Sequence, residues 1–280
     1  MARRSFGALV LLALLLAGVR AQVPSGAEVP YIQTPQAVVD KMLDLAQVGA
    51  DDFLIDLGSG DGRIVIAAAQ RHGARGFGVE LDPSLVEASN EAARKAGVAE
   101  RARFFARDLF DTDISQATVL TMYLLPEFNL QLRPRLLAEL KPGTRVVSHD
   151  WDMGEWQPDA KAVLEGLVKP VMPIQASTVY LWIVPAKVAG EWSLQLDGAP
   201  AASTEIEFRQ RFQEISGEIK REAGRTALQN ANLRGAEIRF AVDDDVRGPA
   251  VPRQFFGKVD GDTMQGVTGS GQRWRARRRG

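Results

Sequence analysis

The sequence predicts an α/β fold: a doubly wound, seven-stranded sheet over residues 34–187 followed by a smaller all-β domain over 188–280. Three observations predict it. Apolar runs of strand length alternate with helical stripes from residue 52 to 148, the pattern of strand–helix–strand units on a mostly parallel sheet. The first of these runs, Phe53-Leu54-Ile55-Asp56-Leu57, breaks into the turn Gly58-Ser59-Gly60-Asp61-Gly62 directly before the helical pattern Ile64-Val65-Ile66-Ala67-Ala68-Ala69. From Gly190 onward the helical period disappears and short alternating segments take over, as in all-β modules.

Thr34-Pro35 reads as a cap with proline at the first helical position, ahead of a stripe made by Val38, Val39, Met42, Leu43 and Leu45. Strands are expected at 52–57, 75–80 and 102–106, with helices at 61–71 and 83–96 between them. Ala117 to Tyr123 forms the fourth strand, Glu127 to Leu140 a helix stopped by Lys141-Pro142-Gly143, and Thr144 to Ser148 the fifth strand. Apolar runs near 167–172 and 178–184 are expected to pair as the antiparallel end of the sheet. In the second domain Trp192, Leu194 and Leu196 alternate, as do Ile206 and Phe208, and Ile238, Phe240 and Val242; turns fall at 217, 235, 243–248 and 260–262. That spacing suits a sandwich, small barrel or meander.

Glycines serve where a chain turns sharply and must approach a ligand closely, and a helix start offers unpaired N–H groups to it. Glu80 follows the turn by about one strand–helix unit, which places a carboxylate at the second strand's end, within reach of a ribose diol. Asp108 ends the third strand and suits an adenine amino group, with Leu81 and Leu109 as apolar plates for the ring. The glycine spacing lacks the longer G-x-G-x-x-G pattern of a pyrophosphate loop, and Asp56 just before it would repel phosphate yet suit an ammonium group, directly or through the loop backbone. A ligand that joins adenosine to an amino acid fits this layout, and S-adenosylmethionine is the common one.

These residues resemble the class I S-adenosylmethionine-dependent methyltransferases, whose Rossmann-like sheet is the fold inferred above. More narrowly, Thr34 through Asp159 resembles bacterial relatives of the mitochondrial lysine methyltransferases that modify the ATP synthase c subunit and the adenine nucleotide translocase. The resemblance rests on Tyr31 with Thr34-Pro35, DLGSGDGR at 56–63, GVELDP at 78–83, RDLF at 107–110, YLLP at 123–126 and LKPGTRVVSHDW at 140–151. It implies donor contacts from Tyr31, Thr34, Asp56, Gly58, Ser59, Gly60, Gly62, Glu80, Leu81, Asp108 and Leu109, and a protein lysine as acceptor. Methyl transfer from a sulfonium is an in-line displacement that needs alignment and water exclusion more than acid–base help, and it needs no metal. The acceptor pocket then lies over the ends of strands one, four and five. Tyr123, Asn129, His149, Asp150 and Trp151 are expected there, with Tyr31 and Thr34 closing from the N-terminal side. An aromatic and acidic rim suits an incoming lysine, attracting the ammonium while apolar walls ease its deprotonation. A small-molecule acceptor is the alternative within the enzyme class; an exported binding protein that keeps the fold without transferring methyl is the alternative outside it.

Cysteine is absent from the chain, which excludes disulfides, thiolate metal sites and cysteine nucleophiles. The basic Met1-Ala2-Arg3-Arg4 and the apolar run from Phe6 to Gly18 read as a signal peptide over residues 1–21, with a linker over 22–33 and an uncleaved membrane anchor as the rival. Removal of 1–21 deletes Arg3, Arg4 and Arg20 and no acid, so the formal net charge moves from −1 to −4. No nucleic-acid partner is expected of the domain as a whole. Export sets the donor, made in the cytosol, apart from the site that would use it. The segment Arg273 to Arg279 closes the chain as a basic stretch that an anionic envelope surface could hold. Mass spectrometry of the protein from fractionated cells should find Gln22 at the N-terminus in an extracytoplasmic fraction; a chain that still begins at residue 1 in the cytosolic fraction would contradict export.

Overall fold

A computed structural model describes residues 32–167, 176–198, 204–221, 224–243 and 252–279. The expected leader, most of the linker and Tyr31 lie outside the described residues, as do most of the run at 167–172 and the turn at 243–248. Among the described residues no helix is long and apolar enough to cross a membrane.

The first sheet contains β1 (Phe53–Leu57), β2 (Arg75–Glu80), β3 (Ala102–Ala106), β4 (Val119–Met122), β5 (Arg145–His149), β6 (Ala160–Glu165) and β7 (Ala176–Ile183), in the spatial order β3-β2-β1-β4-β5-β7-β6. The pairs from β3 through β5 are parallel, and β7 runs antiparallel to both β5 and β6. The helices α1 (Gln36–Leu45), α2 (Arg63–His72), α3 (Pro83–Lys95) and α4 (Pro126–Glu139) cover it. One apolar cluster joins Val38, Val39, Met42 and Leu43 of α1 to Leu54, Val65 and Val147; the other joins Ile55, Leu57 and Leu120 to Leu132 and Leu136 of α4. Burying such aliphatic side chains contributes about 1.5–3 kcal/mol each, so two packed faces hold the sheet. The strand order reverses between β1 and β4, and in open α/β sheets the crevice above such a reversal, at the carboxyl ends of the strands, is where ligands bind.

Two elements differ from expectation. Helix α1 begins at Gln36 with Pro35 as its cap and no side-chain cap bond, because the Thr34 hydroxyl is turned toward the ring of His149 instead. The partner of β7 is Ala160–Glu165 rather than a run near 167–172. Its half-buried alternation at the sheet edge lacks the continuous apolar run that marks an interior strand.

The second sheet is antiparallel and contains β8 (Gly190–Leu196), β9 (Thr204–Arg211), β10 (Glu214–Arg221), β11 (Gly224–Ala227), β12 (Gln229–Arg234), β13 (Glu237–Val242), β14 (Arg253–Asp260), β15 (Thr263–Thr268) and β16 (Arg273–Arg278). The first strand pairs with the last, β8 with β16. The two outer strands of the order, β11 and β12, are consecutive stretches of chain separated only by Leu228, and β10 lies against β12, so the sheet curls round into a barrel. Gly217 lies inside β10 rather than in a turn: its carbonyl accepts from Leu228 N–H at 2.8 Å, and a Cβ there would sit 2.5 Å from the Glu207 carbonyl. Side chains fill the interior, with Trp192, Phe208, Phe240, Phe255 and Trp274 buried together and Phe240 stacked on Phe255 at 4.8 Å.

The barrel is fixed to the first sheet. Ala186 N–H donates to the Gly235 carbonyl at 2.8 Å. Phe212, in the β9–β10 turn at φ 55, stacks on Trp156 with centroids 6.2 Å apart, and Gln213 donates to the Gln157 carbonyl at 2.7 Å.

Between β1 and β4 a carboxyl is buried. Asp56 is 1% exposed and accepts from the Thr121 hydroxyl at 2.7 Å, Thr121 being its register partner. Desolvation pushes its pKa from 3.8 up to about 7; the bond from Thr121 opposes the rise, and the charges of Glu80 and Asp61 add to it. A carboxyl whose folded pKa is raised holds a proton that the unfolded chain has released, so stability is lost as pH rises from about 4 to 7 and the loss is complete above. Urea unfolding of the wild type should show this decline, up to about 4 kcal/mol at roughly 1.4 kcal/mol per unit. Asp56→Asn should flatten it, and equal slopes in both proteins would contradict the buried acid.

Candidate functional site

The turn after β1 gets its shape from three residues in the left-handed region: Gly58 at φ 75, Gly60 at 51 and Gly62 at 78. Side chains other than glycine adopt that region at a cost. The N–H groups of Gly58 and Ser59 donate to the Val79 carbonyl at 3.0 and 2.9 Å, which locks the turn to the end of β2. Glu80, the next residue, accepts from Gly60 N–H at 3.0 Å with one oxygen and from Leu81 N–H at 2.7 Å with the other. Asp82 N–H adds a longer bond to the second oxygen at 3.4 Å; a carboxylate has about four acceptor positions, so the side chain is oriented by these bonds and keeps capacity for a hydroxyl. Asp108 is placed in the same way. One of its oxygens accepts from Phe110 N–H at 2.8 Å as it caps the short 3₁₀ turn Leu109–Asp111. Leu81 is 67% exposed beside Glu80, and Leu109 is half-buried against the core.

These residues fit an adenosyl amino acid by observations of the fold itself. The Ser59 hydroxyl is buried with no hydrogen-bond partner. A Cβ on Gly58 would stand 2.9 Å from Leu124, so the turn leaves no room for side chains on its own side. A large aliphatic side chain lies open where a flat ring would cover it. Asp56 sits beneath the turn, and its burial leaves it to act on an ammonium group through the loop backbone rather than by direct contact. Thr34 and the turn are clasped together by Arg63, which donates to the Thr34 carbonyl at 2.7 Å and grips Asp61, whose carboxylate also receives Gln33 at 3.3 Å. That clasp joins residues 28 or 29 positions apart.

Past the ends of β4 and β5 the chain brings Tyr123, His149 and Asp150 together. The rings of Tyr123 and His149 lie 3.9 Å apart by centroid, and the Tyr123 hydroxyl donates to Asp150 at 3.3 Å. His149 is fully buried: its Nδ1 is 3.3 Å from the Thr34 hydroxyl and its Nε2 is 2.9 Å from that of Ser177 and 3.4 Å from Asp150. Its ring thus supports the other two from behind, without facing solvent. Desolvation, with the charge and hydrogen bond of Asp150 adding to it, pushes the Tyr123 phenol up to about 12. Near neutral pH the phenol is a fixed donor and no base.

Asp150 stands at φ 62 while Trp151 N–H donates to the His149 carbonyl at 2.8 Å, a γ-turn of the rare left-handed kind. Thr178 of β7 fixes it twice: Asp150 N–H donates to the Thr178 carbonyl at 2.7 Å, and Thr178 N–H donates to the Asp150 carboxylate at 3.0 Å. Strained residues persist where the surroundings over-determine them, and they concentrate at functional sites. Asn129 is fully buried and donates to Ser148 Oγ and to the Trp151 carbonyl, both at 3.1 Å. It tethers the loop after β5, while its Oδ1 is buried without a hydrogen-bond partner. Arg133 holds the same loop through the Met153 carbonyl at 2.8 Å, and Trp182 through the Trp156 carbonyl at 2.7 Å. Neither tether left a trace in local sequence, since each depends on a contact at least 20 residues away.

Known proteins resemble this chain in sequence and fold. Residues 56–160 match the family model of the ANTKMT methyltransferase domain. A protein-lysine N-methyltransferase of Saccharolobus islandicus is 41% identical over 157 residues, which cover 56% of this chain and 94% of the relative. The human lysine N-methyltransferase of the ATP synthase c subunit is 41% identical over 106 residues, covering 38% of this chain and 45% of that enzyme, so the chain spans about half the length of this human relative. The crystal structure of an RNA methyltransferase from Salinibacter ruber, in complex with S-adenosyl-L-homocysteine, is 54% identical with a TM-score of 0.52 and covers 56% of this chain and 96% of that one. With nearly the whole of the Saccharolobus enzyme matched and the donor-type turn in place, the chain belongs to the same family and is an S-adenosylmethionine-dependent methyltransferase.

Proposed function

We propose that the methyl acceptor is the side-chain amine of a protein lysine. The observation that carries this reading is the corner of Tyr123 and Asp150, an acid held by an aromatic donor beside the end of β4. Lysine N-methyltransferases among the relatives support it. Bound S-adenosylmethionine supplies an electrophilic methyl group on a positively charged sulfur. The chain's own part is to position the amine. Asp150 attracts and aligns the lysine ammonium, whose proton passes to water, which frees the nitrogen lone pair to form the N–C bond as the C–S bond breaks with its electrons left on sulfur. Tyr123 keeps its proton and holds the acid by its hydrogen bond, while Thr178 fixes the other carboxylate oxygen. Glu80 and Asp108 would hold the ribose and the base, and the glycine turn the amino-acid end. An envelope-associated acceptor is the class favoured by the basic and apolar leader read from residues 1–21.

A second reading, methylation of RNA, is favoured by the likeness to the 54% identical RNA methyltransferase of Salinibacter ruber. Labelled donor incubated with the protein and a cell extract separates the two. Protease-sensitive label that mass spectrometry locates on lysine nitrogen is expected; label in a ribonuclease-sensitive or solvent-extractable fraction would overturn the proposal. Asp150→Asn should cut kcat on the order of 10²-fold with donor affinity unchanged, and Tyr123→Phe should cost less. Unchanged turnover in Asp150→Asn would remove Asp150 from the chemistry.

A further inference from the structure

The two flanks of the barrel handle charge differently. Across β8, β9, β10 and β11 the outward cations are matched by carboxylates: Lys220 pairs with Glu191 and Glu205, Arg225 with Glu207 and Glu218, Arg209 with Glu218, and Arg279 with Glu205. The other flank is built from β13 to β16. Arg239, Lys258, Arg273, Arg275 and Arg277 are exposed there, and none of the five makes an ion pair among the described residues.

Strand register puts these cations on one face. Directly opposed residues of neighbouring antiparallel strands point the same way, as do positions two apart on one strand. One row runs Arg239, Phe256, Val267, Arg273, and the next Lys258, Gln265, Arg275, Gln195. Arg277 follows on β16, opposite Ser193 and Thr263. Phe256 and Val267, the apolar pair at the middle of the first row, are 43% and 44% exposed although the barrel interior is well filled. Two carboxylates, Glu237 and Asp260, lie at the margin opposite Lys258 and Thr263 and leave the face net positive.

We propose that this face of the barrel docks on an anionic phospholipid surface, with Phe256 and Val267 entering between the head groups and the five cations meeting their phosphates. Cations flanking exposed apolar side chains match the two components of such a surface, an anionic layer over an apolar one. Single-stranded nucleic acid would ask for a series of stacking rings, whereas Phe256 is the one aromatic residue of these rows and its neighbour Val267 cannot stack. The formal net charge of −1 means that only a local patch draws the polyanion.

The full chain sedimented with vesicles tests the proposal, comparing pure phosphatidylcholine with an equal mixture of phosphatidylcholine and phosphatidylglycerol. The N-terminal segment carries Arg3, Arg4 and Arg20 and contributes equally in every variant, so the reading is the change in anionic preference from wild type to variant. Each cation near the surface contributes about fivefold in partitioning. The triple variant Arg273→Gln, Arg275→Gln, Arg277→Gln should therefore lose the anionic preference on the order of a hundredfold, and Phe256→Ser should weaken it by a smaller factor. A matched variant on the paired flank, Arg209→Gln, Lys220→Gln, Arg225→Gln, has the same change in net charge and should stay close to wild type. A wild-type near-ultraviolet circular dichroism signal from Trp192 and Trp274, buried in the barrel, shows that each variant is folded. Equal partitioning of the wild type on both vesicles, an equal loss in the matched variant, or a fluorescent single-stranded RNA bound through Arg273, Arg275 and Arg277 without vesicle binding would each overturn the proposal.

Discussion

A buried carboxyl at the reversal of strand order is the constraint on which the site depends. Asp56 can lie at 1% exposure between β1 and β4 only while Thr121 stands opposite it in register and donates to it. Slipping β4 by one residue would move that hydroxyl to the other face of the sheet and strand an acid in the core. The same register sets where β1 ends and the glycine turn begins, and where β4 ends and Tyr123 emerges. The glycine turn and Tyr123 thus follow two neighbouring strands whose parallel ladder is reinforced by this side-chain hydrogen bond. A carboxyl raised to about 7 is also responsive near neutral pH, since a positive group arriving above the turn favours its ionised form.

The corner of Tyr123, His149 and Asp150 is held by parts far apart in the chain. His149 touches Thr34 from the N-terminal side and Ser177 from β7, and Thr178 fixes Asp150. The loop that follows is tied to α4 by Asn129 and Arg133, to β7 by Trp182, and to the barrel by the stacking of Phe212 on Trp156. Through this last contact the barrel braces the segment that carries Asp150. The second domain therefore bears on the geometry of the loop after β5.

The local features were legible in the sequence. The glycine turn, the carboxylate about 20 positions later and the strand–helix alternation are set by short-range chemistry, and the structure places Glu80 20 residues beyond Gly60 with a hydrogen bond between them. What depended on distant partners was not legible. Thr34 reads as a helix cap, yet its hydroxyl lies beside a histidine 115 residues away. Asn129 reads as a pocket residue because its helix follows β4, but it spends its amide on the loop after β5. Gly217 reads as a turn because glycine usually marks one, while here it makes room inside β10 for the Glu207 carbonyl of β9 and the Leu228 side chain. The barrel also depends on β16 finding β8, a pairing between the two ends of the domain that alternation alone does not specify.

Whether Glu80 and the turn after β1 hold the donor is decided by calorimetric titration of S-adenosylmethionine into the wild type, Gly60→Arg and Glu80→Ala. Saturable heat is expected for the wild type and none for Gly60→Arg, whose side chain would fill the turn. Binding to Glu80→Ala should weaken by about tenfold or more, from the loss of charge-assisted hydrogen bonds to the ribose. Equal heats in all three proteins would contradict a donor site at this turn.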